Sequence, residues 1–66
     1  MIKITCEATG RTFKIWFDNK FGNKVYTDKL PSVEVAYNKA TELMRLAGIK
    51  EGIFEFPDGK IEAIQL

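Results

Sequence analysis

The stretch that decides the fold is IKITCEATGRTFKIWF, residues 2–17, in which apolar and polar side chains alternate on both sides of a central Thr-Gly. If Thr9 and Gly10 form a two-residue turn, the apolar residues pair across a hairpin as Cys6 with Phe13, Ile4 with Ile15 and Ile2 with Phe17. A slip of one residue would turn this whole set toward water. The same register places Lys3 opposite Trp16 on the other face, so we expect Trp16 to point away from the core.

A third strand is predicted at about residues 24–28, after a connection rich in turn-forming residues. Val25 is its natural inward residue, which would place Lys24 and Tyr26 outward beside Trp16. The opposite phase is an alternative for this strand. A longer second strand that turns at Gly22 and Asn23 is another.

A helix follows, with a signal at each end. Ser32 is a good N-cap, Glu34 suits the positive end of the helix dipole, and Gly48 is suited to a left-handed C-cap. Ile49 could then close back on Met44. Apolar residues recur at the helical spacing and form one stripe of four turns: Val33, Ala36, Tyr37, Ala40, Leu43, Met44 and Ala47. We expect this stripe to pack on the apolar face of the hairpin.

The last residues, GIFEFPDGKIEAIQL, read as a second hairpin that turns at residues 57–59. Either turn register leaves one of Ile53, Ile64 and Leu66 off the core face, which is typical of strands partly buried on both sides. The order of elements is therefore β-β-β-α-β-β. It predicts a single domain over residues 1–66, of the two-layer α+β class, with one helix on an antiparallel sheet of about five strands.

Composition narrows the chemistry that the chain can perform. One cysteine, Cys6, and no histidine exclude an internal disulfide and a Cys/His zinc site, and we expect no metal and no cofactor. Charged and polar residues interrupt the opening apolar residues, which is unlike a signal peptide, and no apolar run approaches the roughly 20 residues of a membrane span. We expect a reduced, cytoplasmic protein that does not contact a membrane.

Catalysis is the least favoured function. A general base without histidine needs a side chain whose pKa is perturbed by burial in a pocket, and so small a domain has little room for one. Glu55 and Glu62 could lie near each other across the final hairpin, but two solvated strand carboxylates are far more common. Cys6 falls on the apolar face with no histidine to activate it. The glycines match no phosphate-binding spacing, so we predict that the protein is not an enzyme.

Nucleic-acid binding is the alternative function that the sequence indicates. Residues 1–30 carry six basic and three acidic side chains, whereas residues 31–66 carry four and six. Aromatic rings stack on bases and lysines meet phosphates, a mixture that the outward face of the sheet supplies. In the order of its elements, the region 1–48 resembles the arm-type DNA-binding domains of tyrosine recombinases, which implies a DNA partner. The final hairpin departs from that pattern, and the ribonucleoprotein motif of RNA-recognition domains is absent.

Protein recognition is the function that the sequence favours. Trp16 and Tyr26, extended by apolar residues of the final hairpin, would form an aromatic patch ringed by charge, and such patches mark interfaces. The predicted partner-binding residues are Lys3, Lys14, Trp16, Lys24 and Tyr26. The chain has the size of a small accessory or inhibitory protein of a phage or mobile element that binds a larger protein complex. The same patch could instead pair with a second copy in a homodimer.

Overall fold

Five strands and one helix make up the fold in the computed structural model, which describes residues 2–19 and 21–66. They are β1 (Ile2–Thr9), β2 (Thr12–Asp18), β3 (Lys24–Leu30), α1 (Val33–Leu46), β4 (Glu51–Glu55) and β5 (Ile61–Gln65). The strands form one sheet in the order β3-β2-β1-β4-β5. This confirms the two-layer α+β fold and its order of elements. The sheet is mixed, however, because β4 runs parallel to β1. The connection through α1 returns the chain to the starting end of β1.

The first hairpin turns one residue later than predicted, at Gly10 and Arg11 rather than at Thr9 and Gly10. The pairs are therefore Thr5 with Trp16, Cys6 with Ile15, Glu7 with Lys14, Ala8 with Phe13 and Thr9 with Thr12. Gly10 has a φ of 65°, which suits the first position of a two-residue hairpin turn. The predicted partners are wrong by two residues. The predicted faces are right, because a shift of two residues keeps every side chain on its own side of the sheet.

A β-bulge changes the facing of β3 near its end. Val25 pairs with Phe17 and faces the core, as predicted, but between the Ile15–Thr27 and Phe13–Leu30 pairs β3 holds one extra residue. Lys29 lies in this bulge with a φ of 59°. Without the extra residue, Leu30 would face away from the core. The bulge turns its side chain inward, where it is buried. The strand thus extends to Leu30, two residues beyond the predicted end.

Both predicted caps of α1 are present. The Ser32 hydroxyl oxygen accepts a hydrogen bond from the Val35 N–H at 3.1 Å. At the other end, Gly48 has a φ of 72°, and the Ile49 N–H donates to the Met44 carbonyl oxygen at 2.9 Å. The Gly48 N–H donates to the Arg45 carbonyl oxygen at 3.1 Å, which completes a Schellman motif. The helix therefore begins and ends where its capping residues dictate.

The core lies between α1 and one face of the sheet. Helix residues Ala36, Ala40 and Met44 are fully buried against the apolar residues of the first hairpin, which confirms the predicted packing. Ala47, the last residue of the predicted stripe, is exposed. Ten apolar side chains of the described residues are buried: Ile4, Cys6, Ile15, Phe17, Leu30, Ala36, Ala40, Met44, Phe54 and Ile64.

The final hairpin distributes its apolar residues over both faces. Phe54 and Ile64 are buried on the side of α1, whereas Ile53 is half-buried on the opposite side. Among Ile53, Ile64 and Leu66, the residue that lies off the core face is therefore Ile53, which pairs with Ala63. Phe56 and Tyr37 extend the core by edge-to-face contacts with Phe54, with ring centroids 4.9 and 5.1 Å from it.

Candidate protein-binding face

All five predicted partner-binding residues lie on one face of the sheet, the face turned away from α1. We call it the outer face. Its position follows from strand parity, since the neighbours of these residues in β1, β2 and β3 face the core. The predicted residues on the outer face are Lys3, Lys14, Trp16, Lys24 and Tyr26. The prediction that Trp16 points away from the core is confirmed.

The indole of Trp16 is held by a carboxylate that the sequence prediction did not include. Its N–H donates a hydrogen bond to Glu7 Oε1 at 3.0 Å. The other carboxylate oxygen, Oε2, lies 3.7 Å from the ammonium of Lys14, which is the direct cross-strand partner of Glu7. Glu7 therefore joins the ring and the lysine, and it fixes the plane of the indole on the outer face.

Lys24 and Tyr26 approach Trp16 from β3. The Lys24 ammonium lies 4.5 Å from the centroid of the indole ring, at cation–π distance. Tyr26 is the direct cross-strand partner of Trp16 and is 62% exposed. With Glu7 and Lys14, these residues line a shallow depression of about 300 Å³. Trp16 and Tyr26 are thus neighbours across the β2–β3 ladder, and charged side chains surround them.

Lys3 lies apart from this cluster. The predicted pairing of Lys3 with Trp16 is wrong because the later turn places Thr5 opposite Trp16 instead. The Lys3 ammonium contacts Glu55 Oε1 at 3.3 Å, across the parallel β1–β4 pair. The cation on the tryptophan ring is Lys24, from the neighbouring strand.

The charges of the outer face are balanced. Lys3 meets Glu55, Lys14 meets Glu7, and Lys24 lies over an aromatic ring. Asp18, the cross-strand partner of Lys24, has the same facing in β2 as Trp16. Lys3, Lys14 and Lys24 therefore share this face with at least three acidic side chains, which include Glu7, Asp18 and Glu55. Sequence reasoning missed Glu7 and Glu55 because their partners depend on the hairpin register and on the parallel β1–β4 pair.

Apolar side chains continue the outer face toward the other edge of the sheet. Ile53 of β4 and its partner Ala63 of β5 have the same facing as Glu55 and Ile61, which form the next pair. Ile61 is 63% exposed. The face thus carries an aromatic end on β2 and β3 and an aliphatic end on β4 and β5.

A second concave surface lies at the C-terminal end of α1. It is an open groove of about 900 Å³. Its apolar lining comes from the end of the helix and from the strand ends and loop near it, and includes Ile2, Phe17, Val25, Leu43, Leu46 and Ile49. Asp18 and Glu51 are the only acidic or basic groups among the described residues that line it.

The catalytic candidates from sequence are dispersed. Glu55 is directly opposite Ile61, whereas Glu62 is opposite Phe54, so the two carboxylates face opposite sides of the sheet. Burial raises the pKa of the Cys6 thiol, and the nearby charge of Glu7 raises it further.

Among the described residues, no three metal-ligating side chains cluster, and no helix is long and apolar enough to cross a bilayer.

The chain matches no family model, and comparison with curated proteins and with solved structures gave no significant match.

Proposed function

We propose that this protein is a small, non-enzymatic, cytoplasmic protein-binding module. It acts as an accessory or inhibitory protein, of the kind carried by phages and mobile elements, and binds a larger protein complex through the outer face around Trp16. The supporting observation is the Trp16–Tyr26 cross-strand pair, which lies on a sheet face that no other element covers in the described part of the chain. Tryptophan and tyrosine are the residues most enriched at interface hot spots.

The contacts of Trp16 suit it to the role of an anchor. Its N–H is bonded to Glu7, and Lys24 lies over the ring, so the indole is already oriented before a partner arrives. A pre-oriented side chain loses less conformational entropy on binding. Tyr26, more exposed than Trp16, then offers an apolar ring and a hydroxyl to the rim of the interface.

Charge supports a protein partner over nucleic acid, the alternative. Binding to a phosphate backbone needs basic groups that can release its counterions. On the outer face, Lys14 and Lys3 are already paired with carboxylates, and Glu7 and Asp18 would face the incoming phosphates. A balanced rim around aromatic rings instead matches the mixed charges of a protein surface.

The experiment is quantitative capture of binding proteins on the immobilised chain, with wild type, Trp16→Ala and Leu46→Ala compared at low and high ionic strength. Leu46 is 78% exposed in the groove at the end of α1 and so controls for the loss of an exposed apolar side chain. We expect one protein to be retained by wild type and by Leu46→Ala at both salt concentrations, and to be lost with Trp16→Ala.

Two results would contradict the proposal. Retention that Leu46→Ala abolishes and Trp16→Ala does not would move the binding site to the groove. Capture of nucleic acid that high salt abolishes would support the alternative, because counterion release makes such binding steeply dependent on salt.

A further inference from the structure

The two edges of the sheet differ in their ability to accept another strand. The edge strands are β3 and β5. β3 is interrupted by the bulge at Lys29 and ends before Pro31, both of which obstruct pairing with another chain. β5 pairs with β4 residue for residue over its whole length and contains neither proline, glycine nor lysine. The edge at β5 therefore lacks the protective features of the edge at β3.

The hydrogen bonds of the final hairpin determine which backbone groups of β5 point outward. The Leu66 N–H donates to the Lys50 carbonyl oxygen at 2.9 Å, and the Phe56 N–H donates to the Lys60 carbonyl oxygen at 2.8 Å. In an antiparallel pair, alternate residues carry the bonds, so the even-numbered residues of β5 bond to β4. The N–H and C=O groups of Ile61, Ala63 and Gln65 consequently point to the free edge.

We propose that this free edge binds the β5 strand of a second copy of the chain, antiparallel and centred on Ala63. The inference goes beyond the proposed function and does not rest on it. In this register Ala63 pairs with its own counterpart, and Ile61 pairs with Gln65 of the other copy. All the outward-facing backbone groups of β5 are then bonded, and the two sheets become one continuous sheet.

Charge and space favour this register for a second copy. Ala63 is the middle residue of β5, so pairing centred on it overlaps the whole strand, and its small side chain lies at the two-fold axis. Glu62, the only charged residue of the strand, then lies opposite Ile64 of the other copy. Pairing centred on Glu62 would instead place two like charges opposite each other, which is unfavourable. The helix packs mainly over β1, β2 and β3, toward the other end of the sheet.

The test is the self-association of the full chain by analytical ultracentrifugation over a concentration series, for wild type, Ala63→Pro and Ala63→Val. Proline at position 63 removes an N–H that points to the free edge, so the β4–β5 ladder stays intact, whereas valine keeps that N–H. We expect a wild-type dimer that Ala63→Val preserves. In Ala63→Pro two hydrogen bonds per dimer are lost, and the dissociation constant should rise by about 30-fold or more.

A charge exchange tests the register. Ala63→Glu and Ala63→Lys each place like charges across the two-fold axis, so each variant alone should be monomeric, and their mixture should form a heterodimer. Far-ultraviolet circular dichroism checks that each variant is folded. A wild-type chain that is monomeric throughout, or a dimer that Ala63→Pro leaves unchanged, would overturn the proposal. A mixture that associates no better than its components would overturn pairing centred on Ala63.

Discussion

Glu7 accepts a hydrogen bond from the Trp16 indole at 3.0 Å across the β1–β2 ladder, although the two residues are not direct partners. Glu7 is opposite Lys14 and Trp16 is opposite Thr5, so the contact is diagonal, which long and aromatic side chains can span. The carboxylate therefore orients both the ring and Lys14. Because Glu7 and Trp16 both lie on the outer face, this contact orients surface side chains and involves no core residue.

Replacement of Trp16 by alanine should leave the protein folded. The side chain lies outside the core, so we expect a loss of less than about 2 kcal/mol in the free energy of unfolding, the range of half-buried aromatic and cation–π contacts. Phe54→Ala, at a fully buried ring, should cost about 3–5 kcal/mol. Urea unfolding followed by circular dichroism measures both. If Trp16→Ala costs as much as Phe54→Ala, the indole is a core residue and the outer face is misassigned.

The intrinsic fluorescence of Trp16 should not respond to nucleic acid. Lys14 beside the ring is paired with Glu7, and the Glu7 carboxylate lies against the indole N–H, where it would repel an incoming phosphate. The measurement is a titration with single-stranded and duplex oligonucleotides of mixed sequence at low salt, with free tryptophan as the control for inner-filter effects. Quenching that added salt reverses would instead place nucleic acid over this ring.

Gly52 is required by a close approach of β1 and the helix. A Cβ atom at this position would lie 2.7 Å from Ile2 Cγ2, 3.1 Å from Met44 Cε and 3.2 Å from the Ile2 carbonyl oxygen. Because the last of these is backbone, Gly52→Ala should destabilise the fold by about 1–3 kcal/mol. The double variant Ile2→Ala/Gly52→Ala should cost less than the sum of the single variants, because it removes the shortest contact. Additive costs in urea unfolding would contradict this packing.

Cys6 should make the stability of the fold depend on pH in the alkaline range. Burial raises the pKa of its thiol above the ordinary value of 9.0, so the folded state holds the proton to a higher pH than the unfolded state does. The contribution is complete below about pH 9 and is lost as the pH rises toward the folded pKa. The free energy of unfolding should therefore fall more steeply above pH 9 in wild type than in Cys6→Ala. Parallel curves would show that the thiol does not contribute.

The helix and the facing of each strand could be predicted from sequence because both depend on local patterns. Ser32 and Gly48 are capping residues whose chemistry acts within one turn, and strand parity follows from alternation alone. The hairpin register was mispredicted because Thr9-Gly10 and Gly10-Arg11 sort the apolar residues equally well. The first position of the turn decides between them, because it needs a positive φ, which Gly10 has and Thr9 does not.

Two features of the site depend on long-range geometry and were not predictable. The Lys3–Glu55 ion pair requires β4 to lie parallel beside β1, and the sequence pattern of a strand does not reveal its neighbour. The bulge at Lys29 arises because Leu30, rather than the lysine, is brought into the core. A lysine with positive φ has no signature in the sequence, since glycine and asparagine are the residues that usually mark such positions.

The measurement that tests the central claim most directly is photo-crosslinking from position 26 in cells that produce the protein. Tyr26 is replaced by p-benzoyl-phenylalanine, and Val35, an exposed helix residue away from the outer face, is replaced in the same way as the control. We expect a covalent adduct with one protein from position 26 and none from position 35. An adduct that nuclease removes, or adducts only from position 35, would contradict protein recognition by the outer face.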